Sequence, residues 1–116
     1  MAINKTLKEC AEQLSCTIIT KGTLFDQSII KNVLAADLMS DLLVAEKESP
    51  LVISSLATIQ TLRTTDIIGG LGVILVNGKK ADEAMISLAR ELDLSLLQSQ
   101  DDTYDLCVKI GEFFNS

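Results

Sequence analysis

Histidine and tryptophan are absent from this chain of 116 residues, and proline occurs once, at Pro50. The missing imidazole excludes a histidine-based triad, a histidine general base and a histidine metal ligand. Three cysteines, Cys10, Cys16 and Cys107, form an odd set with no Cys-x-x-Cys spacing. They read as reduced, small hydrophobes rather than as a zinc site or a disulfide framework. Aromatic rings are scarce, at three Phe and one Tyr, so the core must be aliphatic. No apolar run approaches the roughly 18 residues that a membrane-spanning helix needs. The opening Met1-Ala2-Ile3-Asn4-Lys5 leads into a charged, amphipathic segment instead of the apolar stretch of a secretory signal. The expectation is a cytoplasmic protein without a membrane partner.

Positive charge is also in short supply: 10 Lys and Arg stand against 16 Asp and Glu, for a net charge of −6. No basic run with interleaved aromatics is present. Nucleic-acid binding works by neutralising phosphates, so a nucleic-acid partner is excluded. What the chain has is aliphatic bulk, with 47% hydrophobic residues. A domain of this length buries roughly 65% of its unfolded surface. Repeats, low-complexity tracts and linkers are lacking, and residues 1–116 read as a single α/β domain.

The organising stretch runs over residues 51–80. Leu51-Val52-Ile53-Ser54-Ser55 and Gly72-Val73-Ile74-Leu75-Val76-Asn77-Gly78-Lys79-Lys80 are short Val/Ile-rich runs that end in polar residues. Between them lies a segment of helical spacing. That is the pattern of a βαβ unit, with parallel strands and a right-handed crossover. Ile59, Leu62 and Ile67 are the expected inward positions of its helix, and Gln60, Arg63 and Thr64 the solvated ones. Gly69-Gly70-Leu71-Gly72 closes a helix and opens a strand. A phosphate-cradling glycine loop has the reverse order, so these glycines read as a helix stop and a tight turn.

Around this unit, Thr6-Leu7-Lys8-Glu9 has capping-box spacing and opens a helix over residues 6–14. Cys16-Thr17-Ile18-Ile19-Thr20 suits a strand. Residues 27–35 are ambiguous, Ile29, Ile30, Val33 and Leu34 suiting a strand with Lys31-Asn32 as a break or bend, and from Asp37 the spacing turns helical, with Asp37 as its cap. Pro50 starts the central strand. Residues 80–92 form an amphipathic helix with a stripe of Ala84, Met85, Leu88, Ala89 and Leu92. Leu94-Ser95-Leu96-Leu97 is a third parallel strand. Asp101 or Asp102 caps a last helix over residues 103–114, which is apolar on two faces. Its surplus face, with the apolar residues 34–45, serves either self-association or a third layer of the chain's own core.

In an open parallel sheet, ligands bind beyond the carboxyl ends of the strands. Three loops meet that condition: Ser54-Ser55 with Ala57-Thr58, Asn77-Gly78-Lys79-Lys80, and Gln98-Ser99-Gln100-Asp101. Hydroxyls, a turn-forming glycine and two ammonium groups there favour a small anion such as a phosphate or nucleotide. The same residues also serve as ordinary caps and turns. The candidate ligand-binding set is Ser54, Ser55, Thr58, Asn77, Gly78, Lys79 and Ser99. Asp37 and Asp41 stand four apart on a helix, a spacing able to hold a divalent cation or perform acid–base work.

The elements Asp37-Leu38-Met39-Ser40-Asp41, Thr58-Ile59-Gln60-Thr61-Leu62-Arg63-Thr64, Val73-Ile74-Leu75-Val76-Asn77-Gly78-Lys79-Lys80 and Leu96-Leu97-Gln98-Ser99 together resemble the DRTGG domain family. The resemblance covers residues 24–113. Similar domains occur in some phosphotransacetylases, between the CBS domains of some pyrophosphatases, and as small stand-alone proteins. The resemblance implies a fold similar to the N-terminal domain of HPr kinase/phosphatase, and a non-catalytic, regulatory, often dimeric domain. Where the family has Thr-Gly-Gly, this chain has Lys31-Asn32-Val33, which alters any close backbone approach those glycines serve.

Three functions follow as expectations. The first is a homodimeric regulatory domain that senses a small anionic metabolite or nucleotide, with no cofactor and no resident metal. The second is an adaptor that docks an enzyme partner without a small-molecule site. The third is a small metal-dependent enzyme built on Asp37 and Asp41.

Overall fold

Leu51, Val52, Ile53, Val73, Ile74, Leu75, Leu96 and Leu97 are all fully buried. Continuous burial of successive residues means that both faces of a strand are covered, the condition of a parallel sheet flanked by helices. The computed structural model describes residues 5–115; the opening residues read above for the absence of a signal lie, from 1 to 4, outside them. The elements run α1 (Leu7–Gln13), β1 (Thr17–Thr20), β2 (Val33–Ala35), α2 (Met39–Val44), β3 (Leu51–Ser54), α3 (Ile59–Ile67), β4 (Gly72–Leu75), α4 (Glu83–Glu91), β5 (Ser95–Gln98) and α5 (Thr103–Asn115). The sheet order is β1-β5-β4-β3-β2. Strands β2 to β5 are mutually parallel, and β1 closes one edge antiparallel to β5. The middle strand is therefore β4; β3, expected to be central from Pro50 onward, lies between β4 and the edge strand β2.

Alternate side chains of each strand enter two separate cores. Leu51, Ile53, Ile74 and Leu97 meet α1 and α5 through Leu7, Cys10, Leu106, Ile110 and Phe113. On the other face Val52, Val73, Leu75 and Leu96 meet α2, α3 and α4 through Leu42, Leu62, Met85 and Leu88. The result is an α/β/α sandwich. Each such aliphatic side chain contributes about 1.5–3 kcal/mol through burial. Helix α1 starts at the expected capping box: Glu9 N–H donates to Thr6 Oγ1 at 3.1 Å, and Thr6 N–H to Glu9 Oε1 at 3.2 Å. Asp82 caps α4 by accepting from Met85 N–H, so this helix begins at Glu83 rather than at residue 80. Asp102, not Asp101, caps α5 by accepting from Asp105 N–H.

Helix α3 departs most from its sequence pattern. Leu62 is buried as expected, yet Ile59 and Ile67 lie exposed while Thr61, Thr64 and Thr65 are buried. The reason is that a threonine satisfies its hydroxyl locally and turns its methyl to the core. Thr61 Oγ1 donates to Leu56 O at 2.7 Å and Thr65 Oγ1 to Thr61 O at 2.8 Å. Thr64 Oγ1 is the one buried side-chain polar atom without a partner among the described residues. Ala84 of α4, expected in the buried stripe, is exposed. Of the two apolar faces of α5, the one of Leu106, Ile110 and Phe113, expected as surplus, is buried in the chain's own core, whereas Tyr104 and Val108 of the other face are exposed.

Two substitutions test this packing by urea or thermal unfolding. Thr64→Val keeps the shape and removes an unsatisfied hydroxyl, so it should raise stability by about 1 kcal/mol. Gly72→Ala should lower stability by about 3 kcal/mol or more, since an added Cβ would lie 2.5 Å from Ser95 O of the neighbouring strand.

Candidate functional site at the carboxyl rim

Because β2, β3, β4 and β5 are parallel, their four exits leave along one rim. Backbone hydrogen bonds stitch these exits together. Val76 N–H donates to Ser54 O at 3.1 Å, Ser99 N–H to Leu75 O at 2.8 Å, Gly78 N–H to Ser99 O at 3.0 Å, and Asn77 N–H to Asp101 O at 2.7 Å. Asn77 and Gly78 both adopt positive φ, at 63° and 66°, which is the geometry of a tight turn favoured by an Asn-Gly pair. Gly78 also sits under Gln100, whose Oε1 would be 2.9 Å from an added Cβ. The amides of this turn are thus committed to the neighbouring exit. Its exposed chemistry is that of Lys79 and Lys80, which make no ion pair among the described residues.

The first loop is held by a residue expected to do something else. Asp37 follows β2 and does not cap α2, whose N-cap is Leu38 without a side-chain cap bond. Its carboxylate reaches across to the exit of β3. Oδ1 accepts from Ser55 N–H at 2.7 Å and from Ser54 Oγ–H at 3.1 Å, and Oδ2 accepts from Ser55 Oγ–H at 2.7 Å. Ser54 Oγ in turn accepts from Leu56 N–H at 3.1 Å. The bonds from Ser55, side chain first and then backbone, outweigh partial desolvation and hold Asp37 below the usual carboxylate range. Charge-assisted hydrogen bonds favour the ionised form in this way. Thr58 is exposed at the start of α3 and makes no side-chain cap bond. Asp41 lies exposed in the first turn of α2, where its negative charge is favourable.

At the third exit Ser99 is buried and its Oγ accepts from Asp101 N–H at 3.1 Å, a turn-closing bond. Gln98 Oε1 accepts from Ala81 N–H at 2.7 Å and so fixes the approach to α4. Beyond Ser99 lies a cleft of about 210 Å³ bounded by Ser15, Gln100, Asp101 and Lys109. Lys109 Nζ is engaged by Asp101 Oδ2 at 2.8 Å. Near this end, burial pushes the thiols of Cys10 and Cys16 up to about 12 and about 11, which leaves them protonated and unreactive at neutral pH.

The structure therefore brings Ser54, Ser55, Thr58, Asn77, Gly78, Lys79 and Ser99 to one rim, yet they do not share one role. Ser54, Ser55 and Ser99 are bonded within the chain, Asn77 and Gly78 form the turn, and Thr58 and Lys79 are open to solvent. Asp37 was missed as a rim residue. The signal available was an acid just after one strand, with a double serine at the next strand's exit. A larger cleft, of about 270 Å³, lies at the opposite, amino edge between Ile29, Lys31, Glu48 and Leu71. Lys31 and Asn32, compared above with the Thr-Gly-Gly of the DRTGG family, lead into β2; Asn32 Nδ2 donates to Glu48 O at 2.8 Å.

Among solved structures, the chain matches the CBS and DRTGG domains of the regulatory region of Clostridium perfringens pyrophosphatase, complexed with the activator diadenosine tetraphosphate. The TM-score is 0.80 at 13% identity over 96% of this chain. The chain spans about half, 48%, of that regulatory-region chain. A likeness at this identity establishes the fold: an α/β domain of the kind found in that region. No protein-family model matches the sequence. No curated protein matches it either.

The Asp37 clasp has a testable pH signature. Its folded pKa is depressed, so its stabilisation is complete above the ordinary aspartate value near ~4 and is lost as pH falls through the lower folded value. Asp37→Asn should cost about 1 kcal/mol at pH 7, reduced by solvent exposure from the full value of charged hydrogen bonds. The difference between wild type and variant in thermal unfolding should hold down to about pH 4 and shrink progressively below it.

Proposed function

We propose that this chain is a non-catalytic regulatory domain that senses a small anionic metabolite or nucleotide at the carboxyl rim of its sheet. The observation that carries this reading is the convergence of four strand exits on one rim. On that rim stand Lys79 and Lys80 at the exit of β4, which make no ion pair among the described residues, and the start of α3 at Thr58, beyond the exit of the neighbouring strand β3. Positive charge beside first-turn N–H groups attracts phosphate-bearing ligands. Likeness to a regulatory region whose structure contains a nucleotide activator supports the same reading. So does the engagement of the rim serines by Asp37, which places a carboxylate where the loop receives negative charge.

An adaptor that docks an enzyme partner is the second reading. It is favoured by the exposed apolar side chains of α2 and α3.

Thermal-shift measurements with pyrophosphate, mono- and dinucleotides and phosphorylated metabolites separate the two. A ligand at 100 times its Kd should stabilise the protein by about 2.7 kcal/mol, and Lys79→Glu with Lys80→Glu should remove that gain. Absence of any shift across the panel would overturn the ligand-sensing reading in favour of the adaptor.

A further inference from the structure

At the amino edge of the sheet, opposite the carboxyl rim, two clefts adjoin. The larger, of about 270 Å³, is bounded by Ser28, Ile29, Lys31, Glu48 and Leu71. The smaller, of about 150 Å³, shares Ser28 and Leu71 with it and is bounded further by Leu24, Phe25, Asp93 and Ser95. Their chemistry differs. In the smaller lobe the polar side chains are engaged within the chain. Asp93 Oδ1 accepts from Thr23 N–H at 2.8 Å and from Thr23 Oγ1–H at 2.9 Å, Ser95 Oγ accepts from Gly22 N–H at 2.9 Å, and Ser28 Oγ–H donates to Leu24 O at 2.8 Å. What this lobe offers a visitor is the apolar surface of Leu24, Phe25 and Leu71. The larger lobe is the reverse: Lys31 and Glu48 border it, both exposed, and neither makes an ion pair among the described residues. Two opposite charges on one small cleft that do not pair with each other leave room for a group between them.

The backbone around the larger lobe is fixed. Asn32 Nδ2 holds Glu48 O at 2.8 Å, and the next residue, Ser49, takes φ 47°, a left-handed conformation that a serine keeps only where its surroundings impose it. Ile29 faces Thr6 in an antiparallel bridge whose bonds run from Leu7 N–H to Ser28 O and from Ile30 N–H to Lys5 O. In that pattern the N–H and C=O of Ile29 turn away from Thr6, and they find no partner among the described residues. We infer that this two-lobed cleft binds a free α-amino acid with an aliphatic side chain. Its carboxylate meets Lys31, its ammonium group meets Glu48, and its side chain enters the lobe of Leu24, Phe25 and Leu71. Charge selects the class: Glu48 repels a plain anion and Lys31 a plain cation, whereas a zwitterion satisfies both. The free N–H and C=O of Ile29 add one donor and one acceptor for the same head group. Size agrees, since both lobes fall below the roughly 300–1,000 Å³ of drug-sized ligand sites, which suits one amino acid and not a nucleotide.

Titration calorimetry of the full chain with L-leucine, L-isoleucine and L-valine tests the assignment, and does so whether or not the carboxyl rim binds an anion. At least one of the three should bind at millimolar concentration or below. Leucinamide, which lacks the carboxylate, and isocaproate, which lacks the amine, should each bind at least tenfold more weakly than leucine. Lys31→Glu and Glu48→Lys, both at exposed positions, should each weaken amino-acid binding at least tenfold with an unchanged melting temperature of the free protein. Leu24→Ser should weaken leucine several-fold and leave alanine unaffected, and Lys79→Glu with Lys80→Glu, on the opposite edge, should change nothing. No binding of any of the three amino acids at millimolar concentration, leucinamide or isocaproate binding as tightly as leucine, or binding indifferent to Lys31 and Glu48 would each overturn the assignment.

Discussion

A strand covered by helices on both faces can place polar side chains only at its ends. That constraint governs this molecule. In β3, β4 and β5 the middle positions are wholly aliphatic, and polar side chains stand only at the strand ends, Ser95 where β5 enters the sheet and hydroxyl, amide and ammonium groups where the strands leave it. Parallel alignment then gathers those exits on one side, because each crossover returns the chain to the same starting edge. The polar rim is a consequence of burial, before any ligand is considered.

Gathering polar groups in one place creates a second demand, that their donors and acceptors be satisfied. The rim meets it largely from within. Exit amides donate to the carbonyls of the neighbouring exit, Ser99 closes its own turn, and Asp37 takes three donors from Ser54 and Ser55. This makes the rim rigid and leaves ammonium groups and helix starts as its open chemistry. It also explains the depth of the rim clefts. At about 210 Å³, the space beyond Ser99 is smaller than the roughly 300–1,000 Å³ of drug-sized ligand sites.

The parts legible in the sequence are those that rest on local rules. Strand runs, the capping box at Thr6, the glycine stop after α3 and the parallel βαβαβ order all follow from residue type and spacing. Helix α3 departs from its pattern because threonine counts as polar there, although Thr61 satisfies its hydroxyl on Leu56 O of the preceding loop and Thr65 on Thr61 O of its own helix. Asp37 was misread for a different reason. An acid just before a helix is an ordinary cap, and nothing in its own neighbourhood reveals that Ser55, 18 residues further on, holds it instead. Such a contact depends on β2 and β3 being neighbours, which is tertiary information. The three exit loops lie on one rim as expected, while the state of their donors was invisible until the exits were seen bonded to one another.

The Asp37 clasp also sets where α2 begins. Leu38, exposed to solvent, is the next residue in the chain and the N-cap of α2. A short helix without a side-chain cap has little to fix its start except the residue before it, and that residue is anchored at the exit of β3. The geometry that makes Asp37 a poor helix cap thus ties the start of one helix to the exit of the neighbouring strand through a single peptide bond.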